Sequence, residues 1–293
     1  MGLPSVGPFD KLRAARSQWS ETATIETSAQ PLHEHAPHMR WAQVPTTLPT
    51  AAAMPARIAG AEDEIEPSAA ELKMPAPSSG AFTSPILGID ARRVRLTQMD
   101  EGEVRTCTKC PLCNTRENTV FGEGAADARL MFVGEGPGGK EDQTGRPFVG
   151  PAGELLNRMI GAMGLKREQV YIANIVKCRA YMQGPPPKDR APAPEEVAAC
   201  SPYLERQVEI IRPQVIVTLG LPASQFVLQT KSSMSRLRGN WSAWHGIKVM
   251  PTWHPSYLLR RERDGDVEPK RQAWGDLQKV MAELGLATPP RKG

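Results

Sequence analysis

The chain has 293 residues, of which 40% are hydrophobic, so it can bury the core of one large domain or two small ones. No apolar run approaches the length of a membrane span, and the N-terminus lacks the apolar segment of a secretory signal, so we expect neither membrane insertion nor export. Five Cys in a compartment that keeps thiols reduced argue against a disulfide framework and indicate metal or cluster ligation.

Charge is distributed unevenly along the chain. The formal net charge is +4, but residues 1–90 carry 6 Lys and Arg against 10 Asp and Glu, whereas residues 91–293 carry 30 against 22. The basic C-terminal part suits a nucleic-acid partner, whose phosphates it can neutralise, although many metabolic enzymes are equally basic.

Residues 1–92 are predicted to form a disordered tail. They contain 11 Pro, no Cys and no sustained apolar period, so they cannot bury enough surface to offset the entropy of ordering. Short helices are expected at 10–20 and 61–74. The motif HEHAPH, which starts at His33, can hold a metal weakly, but such histidines are usually solvated. The tail either docks an unidentified partner protein or acts as a tether.

From residue 93 strands alternate with helices, which predicts a parallel sheet covered on both faces. The predicted strands are 128–133, 170–176, 215–219 and 247–251, and the predicted helices are 152–163, 194–211, 222–228 and 270–284. In such folds the ligand crevice lies beyond the carboxyl ends of the strands. We therefore expect the chemistry in the loops that follow these four strands.

The loop after the first predicted strand, GEGPGGKED, carries Glu135, Glu141 and Asp142. Its first seven residues match the phosphate-loop pattern GxxxxGK. However, Glu141 stands where Ser or Thr should hold magnesium, and Pro137 removes a backbone donor. Nucleotide binding is therefore disfavoured. A Gly-rich turn without function is the plain alternative, against which the clustered carboxylates argue.

Two further polar residues are expected at the same edge. Asn174 lies near the end of the second predicted strand, and His254 follows the last one. A single histidine there is more often structural. In the company of Asn174 and the acidic loop, however, His254 is placed to act as a hydrogen-bond donor or an acid.

The five cysteines have the spacing of a metal site. Cys107 and Cys110 form a CxxC motif that Cys113 extends, Cys178 follows the second predicted strand, and Cys200 lies on the next helix. Four thiolates arranged in this way suit an iron–sulfur cluster or a tetrahedral zinc site. Buried free cysteines are the plain alternative.

Several segments together resemble a known family. CTKC ahead of VFGEG, then GEGPGGKEDQTGRPFVGPAGELLNRM, NIVKCR, RLRGNW and PTWHPSYLLR are similar, in this order, to the iron–sulfur uracil-DNA glycosylases called family 4. The resemblance covers roughly residues 98–286. It implies a three-layer α/β/α sandwich around a four-stranded parallel sheet in residues 93–293. It also implies a [4Fe–4S] cluster and the removal of uracil from duplex or single-stranded DNA in base excision repair.

The resemblance implies roles for individual residues. The cluster ligands are Cys107, Cys110, Cys178 and Cys200, and Cys113 matches a position that is not a ligand. Glu135, in a motif with Gly136, orients the attacking water or stabilises the positive sugar, and His254 donates to uracil O2. Glu141 crowds C5 of the pyrimidine and rejects thymine, Phe148 stacks on the flipped base, and Asn174 reads the uracil edge. The residues implied to contact DNA are Ser256 and the minor-groove wedge Leu258, Leu259 and Arg260.

The segment between Cys178 and Cys200 is longer than in that family. A related group, which bonds covalently to the abasic product, carries a His in an inserted loop at this position, but this segment has none. We expect ordinary turnover by a monomer that is cytoplasmic and associated with the nucleoid. Three alternatives remain: a glycosylase of broader deaminated-base range, an inactive iron–sulfur nucleic-acid-binding protein, and a zinc-stapled enzyme that acts on a free nucleoside.

Overall fold

The computed structural model of the protein describes residues 80–287. The helices predicted at 10–20 and 61–74, and the HEHAPH motif, lie outside the described residues.

A mostly parallel sheet forms the centre of the described structure. The strands are β1 (Glu123–Gly124), β2 (Leu130–Gly134), β3 (Tyr171–Asn174), β4 (Tyr181–Met182), β5 (Lys188–Asp189), β6 (Val215–Leu219), β7 (Ser242–Trp244) and β8 (Ile247–Thr252). The sheet order is β1-β3-β2-β6-β8-β7, and β4 pairs with β5 in a separate hairpin. The strands β3, β2, β6 and β8 run parallel, which confirms the predicted four-stranded core. Two short antiparallel edge strands, β1 and β7, extend it beyond the prediction.

Helices cover both faces of the sheet. They are α1 (Ile89–Met99), α2 (Gly139–Thr144), α3 (Pro151–Ala162), α4 (Pro194–Ile211), α5 (Leu221–Leu228), α6 (Met234–Leu237), α7 (Pro255–Arg263) and α8 (Glu268–Glu283). The predicted helix 194–211 coincides with α4, and the other three predictions agree with α3, α5 and α8 to within two residues. Helix α4 begins where it does because Pro194 needs no N–H partner and the Glu196 carboxylate accepts the Ala193 N–H at 2.7 Å.

Alternating side chains join the sheet to its two helical layers. In β2, Leu130 and Phe132 pack in the core that contains α3, α7 and α8, whereas Met131 and Val133 pack in the core that contains α1, α4 and α5. Every residue of β2 is buried, as expected for a parallel strand covered on both sides. This arrangement is the predicted three-layer sandwich.

The described domain includes residues that the sequence assigned to the tail. Helix α1 begins at Ile89, so the predicted boundary at residue 92 falls inside it. Before α1, the Phe82 ring stacks on His245 with centroids 4.4 Å apart, and Arg212 Nη1 donates to the Phe82 carbonyl at 3.1 Å. The segment from residue 80 to 92 thus packs on the domain.

The strand order brings three loops to one edge of the sheet. Gly134, the last residue of β2, pairs with Asn174, the last residue of β3. Strand β8 ends at Thr252, two residues before His254. The carboxyl ends of these parallel strands therefore meet where the sequence predicted the chemistry.

Candidate functional site

A cavity of about 400 Å³ opens at this edge, and we call it the strand-end cavity. Seven predicted site residues line it: Glu135, Gly136, Glu141, Phe148, Asn174, His254 and Ser256. They come from four separate segments, so the fold assembles them from distant parts of the sequence.

Asn174 lines the cavity and has a buried hydrogen-bond acceptor without a donor. Its side chain is 1% exposed, and Oδ1 is buried without a hydrogen-bond partner in the described structure. A Cβ on Gly134 would stand 2.4 Å from this Oδ1 and 2.6 Å from the Phe148 ring, so only glycine leaves room for both side chains. A buried acceptor without a donor costs roughly 1–3 kcal/mol, which indicates that a ligand supplies the donor.

Phe148 forms an aromatic wall of the cavity and is held in a strained backbone conformation. Its φ is +50°, a region that L-residues rarely adopt. Arg167 donates to the carbonyls of Phe148 and Pro147, and a Cβ on Gly153 would collide with the Phe148 carbonyl at 1.9 Å. The ring lies 5.8 Å from that of His254. Neighbouring contacts therefore hold Phe148 in place before any ligand arrives.

Glu141 ties the loop after β2 to the Phe148 segment. Its Oε1 accepts the backbone N–H groups of Val149 at 2.8 Å and Gly150 at 2.9 Å. The same side chain lines the cavity. It is therefore placed to act on a ligand and also supports the aromatic wall.

His254 caps the N-terminus of α7 and presents one ring nitrogen for a ligand. Its Nδ1 accepts the Ser256 backbone N–H at 3.1 Å and lies 2.8 Å from Ser256 Oγ. Burial, with a smaller effect of Arg260, lowers the pKa of His254 from 6.5 to about 4, while Glu141 acts in the opposite direction. The ring is therefore neutral at pH 7. Because Nδ1 accepts a backbone N–H, the proton resides on Nε2, which bonds to no residue between 80 and 287.

Glu135 follows β2 directly and lines the same cavity. Burial raises the pKa of its carboxyl group above the ordinary value. A half-buried carboxylate of this kind can accept a proton from water or complement a positive centre.

The expected DNA-contacting residues on α7 separate into two groups. Leu258 is 0% exposed and belongs to the core formed with α3 and α8, which corrects the expectation that it inserts into DNA. Leu259 is partly buried and Arg260 is exposed. The helical period explains the difference, because Pro255 and Leu258, three residues apart, share the inward face.

The long segment after Cys178 forms a hairpin beside the strand-end cavity. Strands β4 and β5 pair antiparallel, and the residues from Met182 to Asp189 are exposed. Asp189 lines the cavity and accepts from Arg179 at 2.6 Å, while the guanidinium of Arg179 lies 4.6 Å from the Tyr181 ring. The contacts of Arg179 with Asp189 and Tyr181 thus fix the base of the hairpin.

The five cysteines line a second cavity, which we call the cysteine cavity. It is lined by Cys107, Cys110, Cys113, Cys178 and Cys200, together with Arg116, Lys177 and Tyr203 among others. Burial raises the pKa of the Cys110 and Cys178 thiols, and that of Cys200 to about 12.

Two sulfurs of this cavity accept hydrogen bonds. Arg116 Nη1 donates to Cys178 Sγ at 3.4 Å, and the Lys177 backbone N–H donates to Cys200 Sγ at 3.2 Å. The Cys113 thiol instead donates to the Asn114 side chain at 3.4 Å. No three His, Cys, Asp or Glu side chains within residues 80–287 are grouped closely enough to hold a single metal ion.

Sequence reasoning missed one buried charge between the two cavities. Lys177 is 1% exposed, and burial lowers its pKa to about 8, so the ammonium form still predominates at pH 7. The sequence signal that could have identified Lys177 was its position directly after the second predicted strand and directly before Cys178. Arg167, which donates to the carbonyl of Phe148, was also missed.

Comparison with known proteins identifies relatives. Residues 121–278 match the family model of the uracil DNA glycosylase superfamily. The chain is 49% identical over 192 residues to a type-4 uracil-DNA glycosylase of Thermotoga maritima, which covers 65% of this chain and 95% of that protein. It is 44% identical over 194 residues to a type-4 uracil-DNA glycosylase of Archaeoglobus fulgidus, covering 61% of this chain and 94% of that protein.

A more distant match lies in a neighbouring type. A type-5 uracil-DNA glycosylase of Pyrobaculum aerophilum is 33% identical over 154 residues, which cover 46% of this chain and 64% of that protein. None of the helices within residues 80–287 is long and apolar enough to cross a membrane.

Proposed function

This chain belongs to the uracil DNA glycosylase superfamily, and we propose that the strand-end cavity is where it acts on uracil. The protein is a DNA-repair glycosylase that hydrolyses the N-glycosidic bond of deoxyuridine in DNA, releasing uracil and leaving an abasic site. The observation that carries the assignment of the cavity is the buried Oδ1 of Asn174, which has no hydrogen-bond partner in the described structure and shares the cavity with the neutral His254 and the Phe148 ring.

Base recognition begins with Asn174. An amide side chain offers one acceptor and one donor, which match the N3–H and O4 of uracil. Cytosine presents the opposite pattern at these two positions, so it leaves the buried Oδ1 without its donor. Rejection of cytosine therefore follows from the cost of unpaired polar groups.

The target base must leave the DNA stack to reach Asn174. Phe148 offers the flipped base a flat apolar surface, and its strained backbone is fixed before the base arrives. Glu141, which shares the cavity, is proposed to crowd C5 and reject the thymine methyl group. Ser256, which lines the cavity, and Leu259 and Arg260, which do not, are proposed to contact the DNA.

Bond cleavage places negative charge on the departing base and positive charge on the sugar. The Nε2–H of His254 is proposed to donate to uracil O2, where much of the negative charge develops; one such donor contributes roughly 3 kcal/mol. Glu135 is proposed to complement the positive sugar, to orient the attacking water, or to do both. His254 is neutral at pH 7, as a donor from Nε2 to uracil O2 requires.

The cysteine cavity fits an iron–sulfur cluster. We propose Cys107, Cys110, Cys178 and Cys200 as ligands, because the Cys113 thiol is engaged with Asn114. Four cysteines that line one cavity provide the thiolate ligands that a [4Fe–4S] cluster requires. When bound, the cluster supplies metal–sulfur bonds that join the segment before β1 to the turn after β3.

The test is excision from an end-labelled oligonucleotide that contains one uracil, followed by alkaline cleavage of abasic sites. We expect scission at uracil and none at a matched thymine. The turnover is expected to leave no protein–DNA adduct that survives denaturation. Absence of scission on duplex and single strands, in protein with full iron and sulfide content, would instead favour an inactive nucleic-acid-binding protein.

A further inference from the structure

Lys177 is a buried cation without a carboxylate partner. It is among the largest fully buried side chains of the protein, and it forms no ion pair within the described part of the chain. An unpaired ammonium is costly to bury, so it must be held by strong acceptors or by nearby negative charge.

Two neutral acceptors hold the ammonium. Its Nζ donates to the Asn174 carbonyl at 2.8 Å and to Gln207 Oε1 at 2.7 Å. The Gln207 amide is itself fixed, because Nε2 donates to the Phe121 carbonyl at 2.9 Å and lies 3.2 Å from Tyr171 Oη. The Oε1 atom of Gln207 is therefore directed at Lys177, and the position of the ammonium group is fixed.

The same residue reaches the cysteine cavity. Lys177 lines that cavity, and its backbone N–H donates to Cys200 Sγ at 3.2 Å. Cys178, a second proposed ligand, follows Lys177 directly in the chain. Metal-bound cysteines are thiolates, so the ligand set supplies the negative charge that no carboxylate provides.

We propose that Lys177 is a positioning residue that couples the cysteine-bound cluster to base recognition, by holding the main chain of Asn174 with an ammonium whose charge the thiolates balance. The inference rests on the proposed function of the two cavities. It predicts that the charge state of the cluster and the occupancy of the base site influence each other, since coupling between two sites is reciprocal.

The first test uses the wild-type holoprotein and free uracil, whose neutrality avoids the electrostatic effect of DNA phosphates. The reduction potential of the cluster is measured with and without saturating uracil. We expect a shift that corresponds to at least a threefold change in uracil affinity between the two oxidation states, about 28 mV for a one-electron couple. An unchanged potential with uracil bound would overturn the proposal without any mutation.

The second test compares Lys177→Met with Lys231→Met. Methionine has similar length but no charge and no donor, and Lys231 is an exposed lysine that makes no contact with either cavity. Removal of a buried positive charge should shift the cluster potential to more negative values and abolish the uracil-linked shift. We also expect at least a tenfold loss in the preference for uracil over cytosine. Lys231→Met should match the wild type in all three measurements.

The outcomes separate the coupling from a purely structural role. Weaker excision by Lys177→Met with an unchanged potential would mean that Lys177 only supports the fold, and a changed potential with intact base preference would disconnect the cluster from Asn174. Either result overturns the proposal. Failure of the proposed function would appear separately, as wild-type holoprotein that does not excise uracil or bind it.

Discussion

Replacement of His254 by Ala should remove one preorganised donor while leaving the fold intact. The ring is neutral at pH 7, and its Nε2–H is free for the substrate, so the lost interaction is a neutral hydrogen bond to a developing oxyanion. Loss of such a donor costs about 2.7–4 kcal/mol, so the rate of the chemical step should fall by roughly 10²–10³-fold.

The assay is single-turnover excision from uracil-containing DNA at pH 7.5. Ser256→Ala is the matched control, because it removes the Oγ contact but keeps the backbone N–H that orients the ring. One neutral hydrogen bond contributes roughly 0.5–1.5 kcal/mol, so this control should lose about tenfold at most. A His254→Ala rate within threefold of the wild type would refute the reasoning.

The same histidine makes a prediction about stability and pH. Its pKa is lowered from 6.5 to about 4 in the folded protein, so folding favours the neutral ring. This contribution is complete above pH 6.5 and is lost as the pH falls towards 4. Between pH 7.5 and 5 the wild type should lose about 2 kcal/mol more unfolding free energy than His254→Ala, measured by urea denaturation of both holoproteins. Equal losses would show that the ring is not held neutral.

Three further substitutions follow from the geometry. Gly134→Ala places a Cβ 2.4 Å from Asn174 Oδ1, so excision should fall by about 10²-fold while far-ultraviolet circular dichroism stays unchanged; a fully active variant would contradict the close contact. Leu258→Ala removes a buried side chain from the core and should lower the free energy of unfolding by about 2–5 kcal/mol in urea denaturation. A loss below about 1 kcal/mol would instead indicate that Leu258 lies at the surface that contacts DNA. Cys113→Ser should keep full iron content and Cys200→Ser should lose it, and the opposite pattern would reverse the ligand assignment.

The parallel core of the fold could be predicted from the sequence because its strands are continuous apolar runs. VIVTL in β6 and LMFV in β2 are buried on both faces, and they differ sharply from the polar loops around them. The edge strands β1 and β7 could not be seen in this way. They contain two and three residues, and their pairing depends on neighbours that are distant in sequence.

The strand-end cavity was predictable because Glu135, Asn174 and His254 each lie at or just beyond the carboxyl end of a strand that the apolar pattern identifies. Their detailed geometry was not, since the strained φ of Phe148 depends on Arg167 and Gly153 elsewhere in the chain. The wedge assignment of Leu258 came from resemblance alone. The inward face of α7, which a helical period starting at Pro255 predicts, gives the opposite result.

The most direct test of the account is the preference for uracil over cytosine in Asn174→Asp. An ionised aspartate keeps an acceptor for the N3–H of uracil but loses the amide donor to O4. Uracil and cytosine then each form one mismatched polar pair with this side chain, at roughly 1–3 kcal/mol each. The ratio of excision rates from two oligonucleotides that differ only in this base, measured in single turnover, should fall at least tenfold relative to the wild type. A variant that excises uracil with an unchanged ratio would contradict the claim that Asn174 reads the base in this cavity.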